Sequence, residues 1–137
     1  MGTISASLER AAHLIGAYLD PTVSKLGITQ GEAHVLARLA ARGPTAIGDL
    51  HREFGHKRST LTNIIDRLER RGLVRRAVNA DDRRSFVVRL TAAGRRAAAP
   101  IRSAVDELER ALDAHTDRHA LDKTIDALER MVGGSGG

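Results

Sequence analysis

Cysteine and tryptophan are absent from this chain, and its aromatic rings are limited to two Phe and one Tyr. Without cysteine there is no disulfide framework, no thiolate metal site and no thiol redox sensor. With so few rings the core has to be Leu, Ile, Val and Ala. That favours helices and makes an aromatic-lined ligand pocket less expected. No apolar run reaches the roughly 18 residues of a membrane span, so no membrane partner is expected. No signal peptide precedes the domain, and a cytoplasmic location is the expectation. A phosphate loop, a nucleophile elbow and a His-Glu-x-x-His pair are also missing. The carboxylates alternate with Arg along helical surfaces, as ordinary ion pairs do. The expectation is therefore a non-enzyme with no catalytic residues and no cofactor.

Charge of one sign is abundant, and it is localised. The chain has 137 residues, enough for one domain or one domain with extra helices, and a net charge of +5. Residues 1–50 hold four Lys/Arg and four Asp/Glu, residues 51–96 hold thirteen against five, and residues 97–137 hold five against eight. A basic surplus concentrated in one segment points to a polyanion, with double-stranded DNA the first candidate.

That segment carries the organising pattern. From Lys57 to Gly72 the apolar residues Leu61, Ile64, Ile65 and Leu68 fall on one helical stripe. The opposite side carries Ser59, Asn63, Asp66 and Arg70, flanked by Thr60, Thr62 and Arg67. These are small polar and basic groups able to reach a base edge or a phosphate. Two β-prone runs follow, Leu73–Val78 and Ser85–Leu90, joined by the polar turn Asn79-Ala80-Asp81-Asp82-Arg83-Arg84. A polar helix followed by a basic hairpin is the outline of a winged helix-turn-helix. Ser59, Thr60, Thr62 and Asn63 are the candidate base contacts, and Lys57, Arg58 and Arg67 the candidate phosphate contacts. For Arg67 an ion pair with Asp66, Glu69 or a wing acid is an even alternative. Arg83 or Arg84 at the hairpin tip is placed to enter a minor groove.

Upstream, helical spacing predicts a helix over Ile4–Leu26, which Pro21 should kink or interrupt. Thr29-Gln30-Gly31-Glu32 reads as a capping box that opens a helix through about Ala41, with Ala33, Leu36, Leu39 and Ala40 inward. Gly43-Pro44 stops it, and Thr45 is expected to cap a short helix, Ala46–Phe54. Gly55-His56 supplies the tight turn before the reading helix. Downstream, Ala97, Ile101, Val105, Leu108 and Leu112 predict a long helix that Pro100 breaks or restarts. Leu121, Ile125, Leu128 and Val132 predict a last helix. The first and the last two helices have stripes with nothing to cover them in a minimal winged-helix unit, so a homodimer is expected.

The fold class that follows is mainly α with a small β-hairpin: a winged helix-turn-helix with N- and C-terminal dimerisation helices. Residues 1–28 and 92–132 make the dimerisation region, residues 29–91 the DNA-binding domain, and residues 133–137 a flexible tail or appended linker.

At these residues the chain resembles the MarR (multiple antibiotic resistance regulator) family. The wing pattern is Asp82-Arg83-Arg84, five residues, then Leu90-Thr91 and Gly94. Thr62, Asp66-Arg67-Leu68-Glu69 and Gly72-Leu73-Val74 match the end of the family's recognition helix, and Gly27-Ile28-Thr29 its second helix start. The likeness runs through residues 5–132. It departs from the family at Pro100, in the scarcity of aromatics and at Lys57-Arg58. The resemblance implies a homodimeric repressor or activator on a short pseudo-palindrome, and an effector that releases it from DNA. It also makes Arg84 the stronger minor-groove candidate, oriented by Asp82. His13, Ala17, Tyr18 and His34 are the candidate effector contacts.

Two other readings stand beside this one. A winged-helix module that binds protein alone would not need the basic surplus around the reading helix. A zinc-responsive regulator would need clustered histidines. His51 and His56, His115 and His119, and the separated His13 and His34 make no local ligand signature, so no metal site is assigned.

Overall fold

The computed structural model describes residues 2–55 and 57–133. The helices are α1 (Ile4–Leu26), α2 (Gln30–Arg42), α3 (Ile47–Phe54), α4 (Arg58–Arg70), α5 (Ala92–Asp113) and α6 (Arg118–Gly133). The strands are β1 (Thr45–Ala46), β2 (Val74–Val78) and β3 (Phe86–Leu90), paired antiparallel in the order β1-β3-β2. The chain divides into two compact units, residues 1–105 and 106–137. Met1, His56 and residues 134–137 lie outside the described residues, and with them part of the expected turn at 55–56 and of the expected tail at 133–137.

The first unit holds the core. Leu19 and Val23 of α1, Leu36 and Leu39 of α2, Leu50 of α3, the four apolar residues of α4, Val88 of β3 and Ile101 of α5 are all buried together. The centre is α2, which touches α1, α4 and β3. Packed on more than one side, it buries Val35 and Ala37 beyond the expected Ala33, Leu36 and Leu39.

Several local expectations are corrected. Pro21 and Pro100 both lie inside continuous helices. A proline removes one donor; the carbonyls that lose it belong to Ala17 and Arg96, which are exposed, so water can take them. Thr45 caps nothing: it pairs with Val88 in β1, the cap of α3 is Ala46, and that cap makes no side-chain hydrogen bond. The capping box at Thr29 is half made. Thr29 Oγ1 accepts the Glu32 N–H at 3.2 Å, but the Glu32 carboxylate turns away to Arg67.

Thr91 ties the wing to the start of α5. Its hydroxyl donates to the Gly72 carbonyl at 2.6 Å and accepts the Gly94 N–H at 3.0 Å, while its own N–H donates to the Leu73 carbonyl at 3.0 Å. Gly94 is required by this close approach, because a Cβ there would stand 1.9 Å from the Leu73 carbonyl oxygen.

The second unit contains the end of α5 and all of α6. Asp117 accepts the Ala120 N–H at 3.1 Å and so caps α6. No residue of α6 is buried, and Ile125, Leu128, Met131 and Val132 stand exposed.

Candidate nucleic-acid interface

The apolar stripe of α4 fixes which side faces out. Leu61, Ile64, Ile65 and Leu68 are buried, which leaves Ser59, Thr60, Thr62 and Asn63 exposed, with Lys57 and Arg58 at the helix start. Lys57 occupies the cap position without a side-chain cap bond. The first-turn amides of α4 therefore remain available as donors at the positive end of the helix dipole.

The wing tip is a hydrogen-bonded turn. The Asn79 N–H donates to the Ser85 carbonyl at 3.2 Å, and the Asn79 side chain accepts the Asp81 N–H at 3.0 Å. The Asp82 carboxylate accepts the Arg84 N–H at 3.1 Å and lies 3.6 Å from the Arg84 guanidinium. The Arg84 side chain is 96% exposed. Asp82 thus steadies the turn beneath an arginine that projects into solvent.

Helix and wing converge on one concavity of about 430 Å³. Arg58 and Thr62 of α4, Arg84 and Phe86 of the wing, and His51 and Arg52 of α3 line it. Ser59, Thr60, Asn63 and Lys57 lie outside its lining, on the exposed side of the same helix. His51 and Arg52 were not expected here. Their position in the last turn of α3, just before the tight turn, is the signal that points to them.

A residue absent from the sequence expectation holds this arrangement together. Arg76 of β2 pairs with Asp66, lies 3.8 Å from Glu69 and stands over the Phe86 ring at 5.1 Å. Its backbone N–H also donates to Glu69 at 3.3 Å. One guanidinium therefore binds the last turns of α4 to both wing strands. Alternation in the strand could have found it, since Arg76 lies on the same side as the buried Val74.

Arg67 is engaged elsewhere than expected. Its Nε donates to Glu32 at 2.8 Å, and the Glu32 side chain is 5% exposed. The partner is neither Asp66, Glu69 nor a wing acid. A buried carboxylate needs a counter-charge, and Arg67 is the one that reaches it. Arg71 has a comparable structural duty, donating to the Leu26 and Gly27 carbonyls at the end of α1 at 3.0 and 3.1 Å.

Of the expected effector contacts, His13, Ala17 and Tyr18 are exposed on α1, and His34 of α2 lies with its ring 6.5 Å from that of Phe54. The concavity at the reading helix is lined by none of the four. Among the described residues no three His, Asp or Glu side chains gather into a metal-binding group. The His51 and His56 pair falls partly outside those residues.

Comparison with known proteins agrees with this geometry. The sequence pattern of the MarR family matches residues 28–86, which run from the approach to α2 to the first residue of β3. The chain is 29% identical over 130 residues to the HTH-type transcriptional regulator FarR of Neisseria gonorrhoeae, covering 95% of this chain and 89% of FarR. Over residues 28–86 the chain is similar to the MarR family. It is also 37% identical over 67 residues to the uncharacterised HTH-type transcriptional regulator YfiV of Bacillus subtilis, covering 49% of this chain and 42% of YfiV. That match thus spans less than half of YfiV. A crystal structure of NadR in complex with 4-hydroxyphenylacetate is similar with a TM-score of 0.72 and 27% identity, covering 96% of this chain and 93% of that one. The MarR pattern spans the reading helix and the wing turn and leaves α1, α5 and α6 outside.

Proposed function

We propose that this chain is a MarR-family regulator, a homodimeric, sequence-specific DNA-binding repressor. The carrying observation is the shared concavity, where Arg58 and Thr62 of the reading helix meet Arg84 of the wing. A helix with hydroxyl and amide groups suits a major groove, and an arginine on a projecting hairpin suits the adjoining minor groove. Ser59, Thr60, Thr62 and Asn63 read bases. Lys57, Arg58 and Arg83 hold phosphates, and Arg84 enters the minor groove with Asp82 setting its angle. Arg67 braces α4 against α2 through Glu32 and leaves the phosphate set.

Residues 29–91 form the DNA-binding domain, and residues 1–28 and 92–132 pair the subunits. Ile4, Leu14 and Tyr18 on α1, and Ile125, Leu128 and Met131 on α6, supply exposed apolar surface for that pairing. In such a dimer the two reading helices enter successive major grooves about 34–36 Å apart. By likeness to NadR, which is solved with 4-hydroxyphenylacetate, a small molecule bound near His13, Ala17, Tyr18 and His34 releases the dimer. The protein acts in the cytoplasm and catalyses no reaction; among the described residues no helix is long and apolar enough to cross a membrane.

The test is duplex binding across a salt series. Contacts to several phosphates predict a steep loss of affinity between about 50 and 200 mM salt. A flat response near zero slope would favour a protein-binding module instead.

A further inference from the structure

The end of the reading helix α4 is pinned between the two helices that lead into the proposed pairing region. Arg71, the residue that caps α4, sends its side chain to the end of α1. Its Nη1 donates to the Gly27 carbonyl at 3.1 Å and its Nη2 to the Leu26 carbonyl at 3.0 Å. The next two carbonyls, of Gly72 and Leu73, accept from the Thr91 hydroxyl at 2.6 Å and the Thr91 N–H at 3.0 Å, one residue before α5 begins. We propose that Arg71 is a positioning residue for DNA recognition: it fixes the angle of α4 against α1, and so the distance between the two reading helices of the dimer. The proposal rests on the homodimeric DNA-binding reading above.

The contact is built to set an angle. Two N–H groups of one planar guanidinium meet successive carbonyls, and such a fork fixes orientation where a point charge does not. Those carbonyls lie at the negative end of the α1 dipole, which favours a cation. The backbone that carries Arg71 is itself locked. Its N–H donates to the Arg67 carbonyl at 3.1 Å, the Gly72 N–H to Glu69 at 2.9 Å and the Leu73 N–H to Leu68 at 3.0 Å, with Gly72 in the left-handed conformation that closes a helix end. The start of α4 is held differently. Lys57 makes no side-chain cap bond, and Ser59 and Thr60 are exposed. Leu61, Ile64, Ile65 and Leu68 seat the helix in the core, but apolar burial is non-directional and permits a small rocking. The 13 residues of α4 make a lever of about 20 Å, so a swing of about 5° at Arg71 moves Ser59 by about 1.7 Å. Repeated in both subunits, that swing changes the gap between reading helices by up to about 3.5 Å, close to the roughly 3.4 Å rise of one base pair.

The test is selection from random duplexes, run in parallel on the full-length wild type, Arg71→Gln and Arg71→Lys. The wild type should enrich paired half-sites with centres about 10 bp apart, by about tenfold over spacings about one base pair shorter or longer. Arg71→Gln should enrich the same half-site sequence, because the base-reading residues are untouched, with the spacing preference narrowed to about threefold or less. Arg71→Lys keeps the charge at the end of α1 and loses the fork. It should melt close to the wild type and still show the broadened spacing. A general weakening of α4, or the loss of one surface charge, would lower affinity at every spacing alike and leave the ratio unchanged. A wild-type spacing preference in Arg71→Gln would overturn the proposal. So would full restoration by lysine, which would show that charge alone suffices. Failure of the wild type itself to enrich paired half-sites would overturn the dimeric DNA-binding reading and this proposal with it.

Discussion

Replacing Gly94 with alanine puts a methyl carbon 1.9 Å from the Leu73 carbonyl oxygen, 2.9 Å from the Leu73 carbonyl carbon and 3.2 Å from Leu90 Cδ2. The first two atoms are backbone, so no rotamer change relieves the clash, and α5 has to move away from the root of the wing. Overpacking of this severity belongs at the upper end of its usual range, about 3 kcal/mol. Alanine is the better helix former by about 1 kcal/mol, which leaves a net loss of about 2 kcal/mol. If the shift also breaks the two hydrogen bonds of the Thr91 hydroxyl, at about 1 kcal/mol each, the loss approaches about 4 kcal/mol. For a chain of this size each kcal/mol moves the melting temperature by about 4 °C, so Gly94→Ala should melt about 8 °C or more below the wild type. Gly48→Ala is the control. It lies inside α3, and its added Cβ would meet only the Arg52 Nη1 atom, at 3.7 Å. That variant should melt at or slightly above the wild type. Both belong in circular dichroism melts at one protein concentration, because self-association makes the midpoint concentration-dependent. A Gly94→Ala protein as stable as the wild type would refute the close approach between α5 and the wing root.

The other perturbations address the interface. Arg84→Ala should weaken duplex binding without changing self-association; wild-type affinity in a titration would remove the wing from the contact surface. Asn63→Ala should cost roughly 1–3 kcal/mol at one base position, and an equal loss on unrelated duplexes would reduce Asn63 to a backbone contact. Arg76→Met should lower stability by about 1 kcal/mol, since its acidic partners are partly exposed and screened, and should lower DNA affinity by loosening the wing. Unchanged affinity would show that the clamp is dispensable. Leu128→Asp should shift the protein toward monomer in sedimentation, and an undiminished dimer would exclude α6 from the pairing surface.

The features legible in the sequence were those written in local periodicity. Leu61, Ile64, Ile65 and Leu68 defined α4 and its exposed side because a single helix with one buried stripe obeys one period. The wing was legible because two β-prone runs flank a turn of Asn, Asp and Arg. Features set by distant partners were not. β1 is two residues long and exists only because Thr45 and Ala46 pair with Val88 and Val87, some forty residues on. Glu32 satisfies the local rule for a capping box, yet a stronger partner, Arg67, reaches it from another helix. Arg71 stands at the end of α4, yet its side chain serves the end of α1. Pro21 and Pro100 carried a strong local signal that long helices with solvent-facing prolines can absorb.

The most direct measurement is selection of bound sites from a pool of random duplexes. The enriched sequences should contain two half-sites related by two-fold symmetry, with centres about 10 bp apart. Recovery of a single unpaired half-site, or no enrichment over the starting pool, would contradict paired reading helices on adjacent turns of DNA.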